Sequence, residues 1–359
     1  MEAICKAKII EEFLGREARW NFPGLTDSHY YQNLPSAPVD ITLPYRAEGN
    51  FDPPLPTPKD IANARTTAHD SEIPRPNVYK VFDTYIVKFS SGGSILQEAE
   101  NLLFLEKNSR VRTPKVYAVF SHQGEDPSGL YQDQARETRP TYHYLVMEFI
   151  PGPKLSRELF CNSSPDVKQR ICESLAEQLK RLREVQLGID FYGRVNRTGW
   201  DYHLNMFTCP GKDLCGPYES YEDLVNAMVD SARFHAATGL YSEEFDSGTK
   251  LILANLKPSL QAATEEDRLP TLTHLNLQFH NIIVQQKGED YDVIIMNWRH
   301  LGWLPAWVEA VTVLMCLSIQ SWEEKGNLQW GVFQGFQPFN LALAQFIADC
   351  KGLLAYPLL

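Results

Sequence analysis

The chain has no hydrophobic run long enough to cross a bilayer, which takes about 20 apolar residues as a helix. Its N-terminus, Met1-Glu2-Ala3-Ile4-Cys5-Lys6, lacks the apolar stretch of a secretory signal. Basic residues are in deficit. Lys and Arg number 34 against 45 Asp and Glu, for a formal charge of -11. That excludes a broad nucleic-acid footprint, although a local basic group can still hold an anionic ligand. Cysteine is present but unpatterned: Cys5, Cys161, Cys172, Cys209, Cys215, Cys316 and Cys350 contain no Cys-x-x-Cys pair and no set at zinc spacing. An odd, scattered count excludes a disulfide scaffold and predicts reduced thiols in a cytoplasmic protein. Internal repeats are absent too. What is left is an ordinary globular composition, 43% hydrophobic and 22% charged. A length of 359 residues suffices for two lobes with real cores.

Residues 1–67 read as a Pro-rich N-terminal arm without a core of its own. Ile4 to Phe13 predicts a short helix. Leu34-Pro35-Ser36-Ala37-Pro38, Leu43-Pro44 and Asp52 to Pro58 then favour extended chain and block regular ladders. Pro58 to Ala68 predicts a second short helix. Residues 68–150 read β-β-α-β-β: strands over Tyr79–Val81, Tyr85–Phe89, Lys115–Phe120 and Tyr142–Ile150, with a helix over Leu96–Asn108. Residues 151–359 are mostly helical. Ser164 caps a long helix reaching Val185, whose face is Ile171, Leu175, Leu179, Leu182 and Val185. Further helices are predicted over Tyr221–Phe234, Thr249–Leu260, Ala306–Glu323 and Phe339–Leu354.

Between those helices lies the most informative stretch, residues 273–300. A polar loop, Thr273-His274-Leu275-Asn276-Leu277-Gln278-Phe279-His280-Asn281, feeds an apolar strand from Ile282 to Gln285. Lys287-Gly288-Glu289-Asp290 supplies a turn, and Tyr291 to Met296 is the returning strand. Such a hairpin aims polar residues at the mouth of each strand: His274, Asn276, Gln278, His280 and Asn281 on one side, Asn297, Arg299 and His300 on the other.

A β-rich lobe, a Pro151-Gly152-Pro153 hinge and a helical lobe with a His-rich loop make up the layout of a kinase-like α+β fold. Five anchors in register resemble the aminoglycoside phosphotransferase family, particularly its fungal members. Tyr85-Ile86-Val87-Lys88-Phe89 looks like the strand of the ATP-phosphate lysine, here Lys88. Glu98-Ala99-Glu100 is similar to the helix whose glutamate pairs with that lysine, with Glu98 chosen and Glu100 the alternative. Tyr144 to Gly152, through Met147 and Glu148, is close to the hinge that holds adenine by its backbone. His274 to Val284 overlays the form His-Gly-Asp-Leu-x-x-x-Asn-Ile-x-Val. Asn297 to Pro305 overlays Asp-Trp-Glu-x-x-Gly-Trp-x-Pro.

The resemblance implies kinase chemistry, and the residues depart from it. The family's catalytic loop aspartate falls on Asn276 and its magnesium-binding aspartate on Asn297. The loop glycine is Leu275, the acid after the tryptophan is Arg299, and only Asn281 of the metal-binding pair is kept. An amide has the shape of a carboxylate without its charge or basicity. Positioned general-base catalysis is worth about 10²–10⁴-fold, and a lost magnesium ligand removes part of the charge neutralisation phosphoryl transfer relies on. An efficient Mg-ATP phosphotransferase is therefore not expected. The preferred reading is a repurposed small-molecule enzyme of secondary metabolism with metal-free acid–base or cyclisation chemistry. In it His274, His280 and His300 move protons, Asn276 and Asn297 hold oxygens, and Arg299 holds an anion. Trp200, Tyr202, His203 and Phe207, with Gln278 and His300, are expected to line the substrate pocket. The alternatives are a non-catalytic pseudokinase and a weak phosphotransferase. ATP and magnesium enter only under those two, and no resident cofactor or metal is otherwise expected. The partner is a small molecule, not nucleic acid or membrane. Neither substrate identity nor oligomeric state is encoded.

Overall fold

The strand Tyr85–Ser90 shows why the sheet forms where it does. Tyr85, Val87 and Phe89 alternate with Ile86, Lys88 and Ser90, so one face of the strand is buried apolar surface and the other carries the lysine. The computed structural model describes residues 5–14, 37–64, 77–129, 139–200, 215–238, 244–288, 290–317, 322–335 and 340–350. In chain order its helices are α1 (Lys6–Leu14), α2 (Pro58–Ala64), α3 (Ser94–Asn108), α4 (Arg157–Asn162), α5 (Pro165–Arg183), α6 (Tyr221–Thr238), α7 (Ser247–Gln261), α8 (Glu265–Arg268), α9 (Val308–Cys316), α10 (Trp322–Phe333) and α11 (Leu341–Asp349). Its strands are β1 (Tyr45–Arg46), β2 (Val78–Val81), β3 (Tyr85–Ser90), β4 (Val116–Gln123), β5 (Thr141–Glu148), β6 (Gly193–Arg194), β7 (Pro270–Thr273), β8 (Ile282–Lys287), β9 (Asp290–Ile295) and β10 (Gly302–Pro305). The chain divides into two compact units. One holds Pro38–Leu182 and Phe279–Arg299. The other holds Met1–Ala37, Arg183–Gln278 and His300–Leu359.

The sheet unit is built on an antiparallel sheet of order β1-β4-β5-β3-β2. Its apolar face gathers Tyr79, Val81, Tyr85, Val87, Phe89, Ala118, Tyr144 and Val146 around Ile61 of α2, with Leu55 beside them. The Tyr85 hydroxyl donates to the Pro53 carbonyl at 2.6 Å. The Pro-rich arm thus closes this face, and Tyr45–Arg46 adds an edge strand to β4. Reading prolines as breakers of regular pairing missed that strand, which is short and at an edge, where proline-flanked chain is tolerated. Helix α3 packs against β3, β4 and β5. Helix α5 starts as its sequence predicts, with the Val167 amide 3.4 Å from Ser164 Oγ, and buries Ile171, Leu175, Leu179 and Leu182. Val185 falls past its last turn yet is buried. The β8–β9 hairpin pairs Ile282 with Ile295 and turns at Gly288, whose φ of +66° suits glycine.

The helical unit contains α1, α6 to α11 and a small sheet of order β6-β10-β7. Ile9 and Ile10 of α1 bury against Ala236, Ala237 and Phe245. Gly302 of β10 lies so close to Trp200 and to the Gly193 carbonyl that an added Cβ would sit 2.5 and 2.8 Å from them. That is the physical reason for glycine before Trp303. The single helix expected over Ala306–Glu323 is instead two. Cys316 ends α9, where Leu317 leaves helical geometry (φ −88°, ψ 52°), and α10 begins at Trp322.

Two measurements check this packing. Ile61→Ala empties a site at 0% exposure, and chemical denaturation is expected to show a loss of about 2–5 kcal/mol. Burial pushes the Cys172 thiol up to about 12 and the Cys350 thiol to about 11. Their thiolate fractions at pH 8 are therefore lowered by roughly 10²–10³. Alkylation of the folded chain followed by mass spectrometry should mark the exposed Cys5 and spare both.

Candidate functional site

In the sheet unit the site begins with Lys88. Strand alternation turns it away from the apolar face, and its Nζ reaches Glu98 Oε1 at 2.6 Å and Oε2 at 2.8 Å. Both side chains are nearly buried, at 12% and 5% exposure. A pair this dry is costly to desolvate and still more costly to break, by about 3–5 kcal/mol when one partner is removed. Glu100, the other candidate, accepts the Asp40 backbone N–H at 2.5 Å, so it serves the arm. Asn101, one turn on from Glu98, was not foreseen. It is fully buried, and its Nδ2 donates to the carbonyls of Trp298 at 2.7 Å and Arg299 at 3.0 Å. A polar residue on the buried face of a helix was the available signal.

The hinge is tied down on several sides. Met147 is buried at the end of β5. Arg112 grips Glu148 with both Nη atoms, at 2.9 and 2.5 Å. The Glu148 N–H donates to Lys115 O at 2.9 Å and the Phe149 N–H to Thr84 O at 3.1 Å. Gly152 takes a φ of +130°, and a Cβ there would meet the Val284 carbonyl at 2.6 Å. Close approach of the hinge to β8 thus requires the glycine. It is fixed by Val284 N–H to Pro153 O at 3.0 Å and Leu155 N–H to Ile282 O at 2.7 Å.

The mouth of the hairpin is equally ordered. Asn281 is buried and its carbonyl accepts the Met296 N–H at 2.7 Å. Trp298 is fully buried, its indole N–H donating to Ile295 O at 2.8 Å. Asn297 sits between them at a φ of +66°, half-buried. Arg299 is half-buried, and His280 is exposed on the short turn Phe279–Asn281.

In the helical unit the loop is buried: His274 at 0%, Leu275 at 1%, Asn276 at 6%. Gln278 is half-buried and His300 buried. The His274 N–H donates to Glu309 of α9, and Thr312 Oγ1 donates to the same carboxylate at 2.7 Å. Burial pushes the Glu309 carboxyl above its usual range, opposed by Thr312, the His274 and Leu275 amides and the Arg183 cation. Burial likewise pulls Arg183 down to about 10, against the pull of Glu309. The Asn276 N–H donates to His274 Nδ1 at 3.1 Å, so that nitrogen is the acceptor and any single ring proton lies on Nε2. As placed, His274 braces the loop. Glu309 and Thr312 were missed, although a charge inside Val-Glu-Ala-Val-Thr is an odd residue for so apolar a helix. Leu275 holds a φ of +64°, where an L side chain is strained. Trp200 is buried, its backbone paired with Cys215 at 2.8 and 3.0 Å. Tyr202, His203 and Phe207 lie outside the described residues.

The donor set divides by chemistry. Lys88 braced by Glu98 suits a phosphate or other anion. At the positions where the resemblance puts magnesium ligands, Asn281 and Asn297 offer only neutral oxygens, beside the cationic Arg299. These residues fit a phosphate-bearing ligand and do not fit a divalent cation, which favours charged oxygen donors.

Residues 75–324 match the model of the phosphotransferase enzyme family. Among solved structures, a candidate fructosamine-3-kinase from Haemophilus somnus aligns with a TM-score of 0.50 at 16% identity, covering 83% of this chain and 90% of that one. The GDP and kanamycin complex of APH(2'')-IIIa gives 0.49 at 12% identity, covering 82% and 87%. The ADP-bound aminoglycoside phosphotransferase APH(2'')-Ib gives 0.46 at 15%, covering 76% and 77%. At 16% identity the likeness to the first of these is one of fold, and it bears out the kinase-like α+β expectation. No curated protein matches the chain. The family match spans well over half of the sequence, and the chain belongs to the phosphotransferase enzyme family.

Proposed function

We propose that this chain is a small-molecule enzyme of the phosphotransferase fold turned to chemistry that needs no divalent metal. Acid–base or cyclisation chemistry in secondary metabolism is the reaction class we favour. The observations that support the reading are ordered, left-handed backbone at two positions and neutral amides where the resemblance places carboxylates. Leu275 and Asn297 both hold left-handed backbone, at φ +64° and +66°. For a branched non-glycine residue such as Leu275 this costs on the order of 1–3 kcal/mol. The surrounding contacts therefore enforce the geometry against local preference. Yet the two carboxylates expected there are amides, each with one accepting oxygen and two N–H donors but no useful basicity. Such a loop suits a substrate's carbonyl or hydroxyl oxygens. Arg299 supplies a cation for an anionic group. Proton transfer then falls to His280 and His300, because His274 is committed to the Asn276 amide. ATP-dependent phosphoryl transfer by this set would lack both its base and its metal charge.

The test is a pair of titrations with ATP, with and without magnesium, read by thermal unfolding and by phosphate release. Magnesium is expected to add nothing for the natural chain. The double substitution Asn276→Asp with Asn297→Asp is expected to raise magnesium-dependent affinity at least about tenfold, or ~1.4 kcal/mol. Rapid magnesium-dependent turnover of ATP by the natural chain would overturn the proposal.

A nucleotide-binding pseudokinase is the second reading, favoured by the intact Lys88–Glu98 pair. Under it, magnesium-free ATP raises the melting temperature of the natural chain. The double variant Lys88→Ala/Glu98→Ala, which avoids a lone buried charge, should lose that rise while remaining folded by circular dichroism.

A further inference from the structure

We propose that Asn101 is a positioning residue that registers the Asn297–Arg299 turn against Lys88 through one face of helix α3. The proposal rests on the donor set described above, in which Lys88, Asn297 and Arg299 fit one phosphate-bearing ligand. Glu98 and Asn101 are three residues apart on α3 and so share a face. Glu98 holds Lys88 on β3. Asn101 holds the two carbonyls that follow Asn297, those of Trp298 and Arg299. The turn is fixed from its other side by the hairpin, through Met296 N–H to Asn281 O and the Trp298 indole to Ile295 O. The Asn297 backbone, at φ +66°, therefore lies between a hairpin anchor and a helix anchor. Only the helix anchor also carries the partner of Lys88.

The orientation of the Asn101 amide supports this role. Two acceptors face its NH₂ group, and its buried Oδ1 meets no hydrogen-bond partner among the described residues. The two N–H bonds are thus what tie the amide to the turn. A rotation or shift of α3 that loosens Glu98 from Lys88 must also strain these bonds. By the same linkage, loosening the turn must be felt at Lys88.

The test needs no substrate. In Asn101→Leu the rate of Lys88 acylation by an amine-reactive ester, followed by mass spectrometry, is expected to rise by about threefold or more. Amide hydrogen exchange over residues 297–301 should rise with it. Faster exchange in the turn with unchanged Lys88 labelling makes Asn101 a local packing residue and overturns the proposal. No change in either also overturns it. Glu98→Gln tests the coupling in the other direction and serves if the leucine variant does not fold. Its expected effect is faster exchange over residues 297–301, and unchanged exchange there overturns the proposal as well. Magnesium-free ATP, added to the natural chain in parallel, reads the ligand separately. Its failure to bind ends the nucleotide reading, while the labelling and exchange results still decide on Asn101.

Discussion

A lysine and a glutamate held almost out of water govern the sheet unit. Moving both charges from solvent costs several kcal/mol each, and their attraction repays that only at short range with good geometry. Lys88 and Glu98 meet this condition at 2.6 and 2.8 Å. The geometry has to be supplied by the elements that carry them. Lys88 comes from a strand fixed by pairing on both sides, β2 and β5. Glu98 comes from a helix that must be held along its length, and the neighbouring polar residues do this: Glu100 takes the Asp40 amide and Asn101 the Trp298 and Arg299 carbonyls. A buried pair of this kind is a weak stabiliser and a strict positioner, which accounts for the number of contacts committed to α3.

The helical unit solves a related problem with a single buried carboxylate. Glu309 lies under the His274 loop, where burial works against its charge. Its compensation is the loop's own backbone amide, the Thr312 hydroxyl and the nearby Arg183. The loop thus satisfies the acid, and the acid fixes the loop. With His274 also accepting from Asn276, a leucine can be held in left-handed backbone that it would not choose alone. Shape in this loop is set from beneath by α9, so it does not depend on a carboxylate at position 276.

Much of this was legible in the residues. The strand over Tyr85–Phe89 and its lysine were marked by the motif, and the spacing of Ile171, Leu175, Leu179 and Leu182 gave the long helix its inner stripe. The His274 and Asn297 motifs located the loop and hairpin. What stayed hidden depends on distant chain. The pairings of Gly193–Arg194, Pro270–Thr273 and Gly302–Pro305 join segments far apart, each too short to carry a period. That the arm claims Glu100, the alternative to Glu98, shows only once Asp40 is brought beside it. Asn101 and Glu309 read as ordinary helix residues until their partners are brought beside them. Nor does composition reveal that His274 Nδ1 accepts the Asn276 N–H.

The arm has a consequence for where the molecule can be cut. The family match begins at residue 75. Ile61, with Leu55 beside it, belongs to the same apolar cluster as Tyr85, Val87 and Tyr144. The stretch recognised as the family's is therefore shorter than the stretch that folds. A fragment trimmed to the recognised stretch would bare the aromatic face of its sheet to water, together with the β4 edge that Tyr45–Arg46 covers. Such a fragment is primed to aggregate, whatever remains intact in its site.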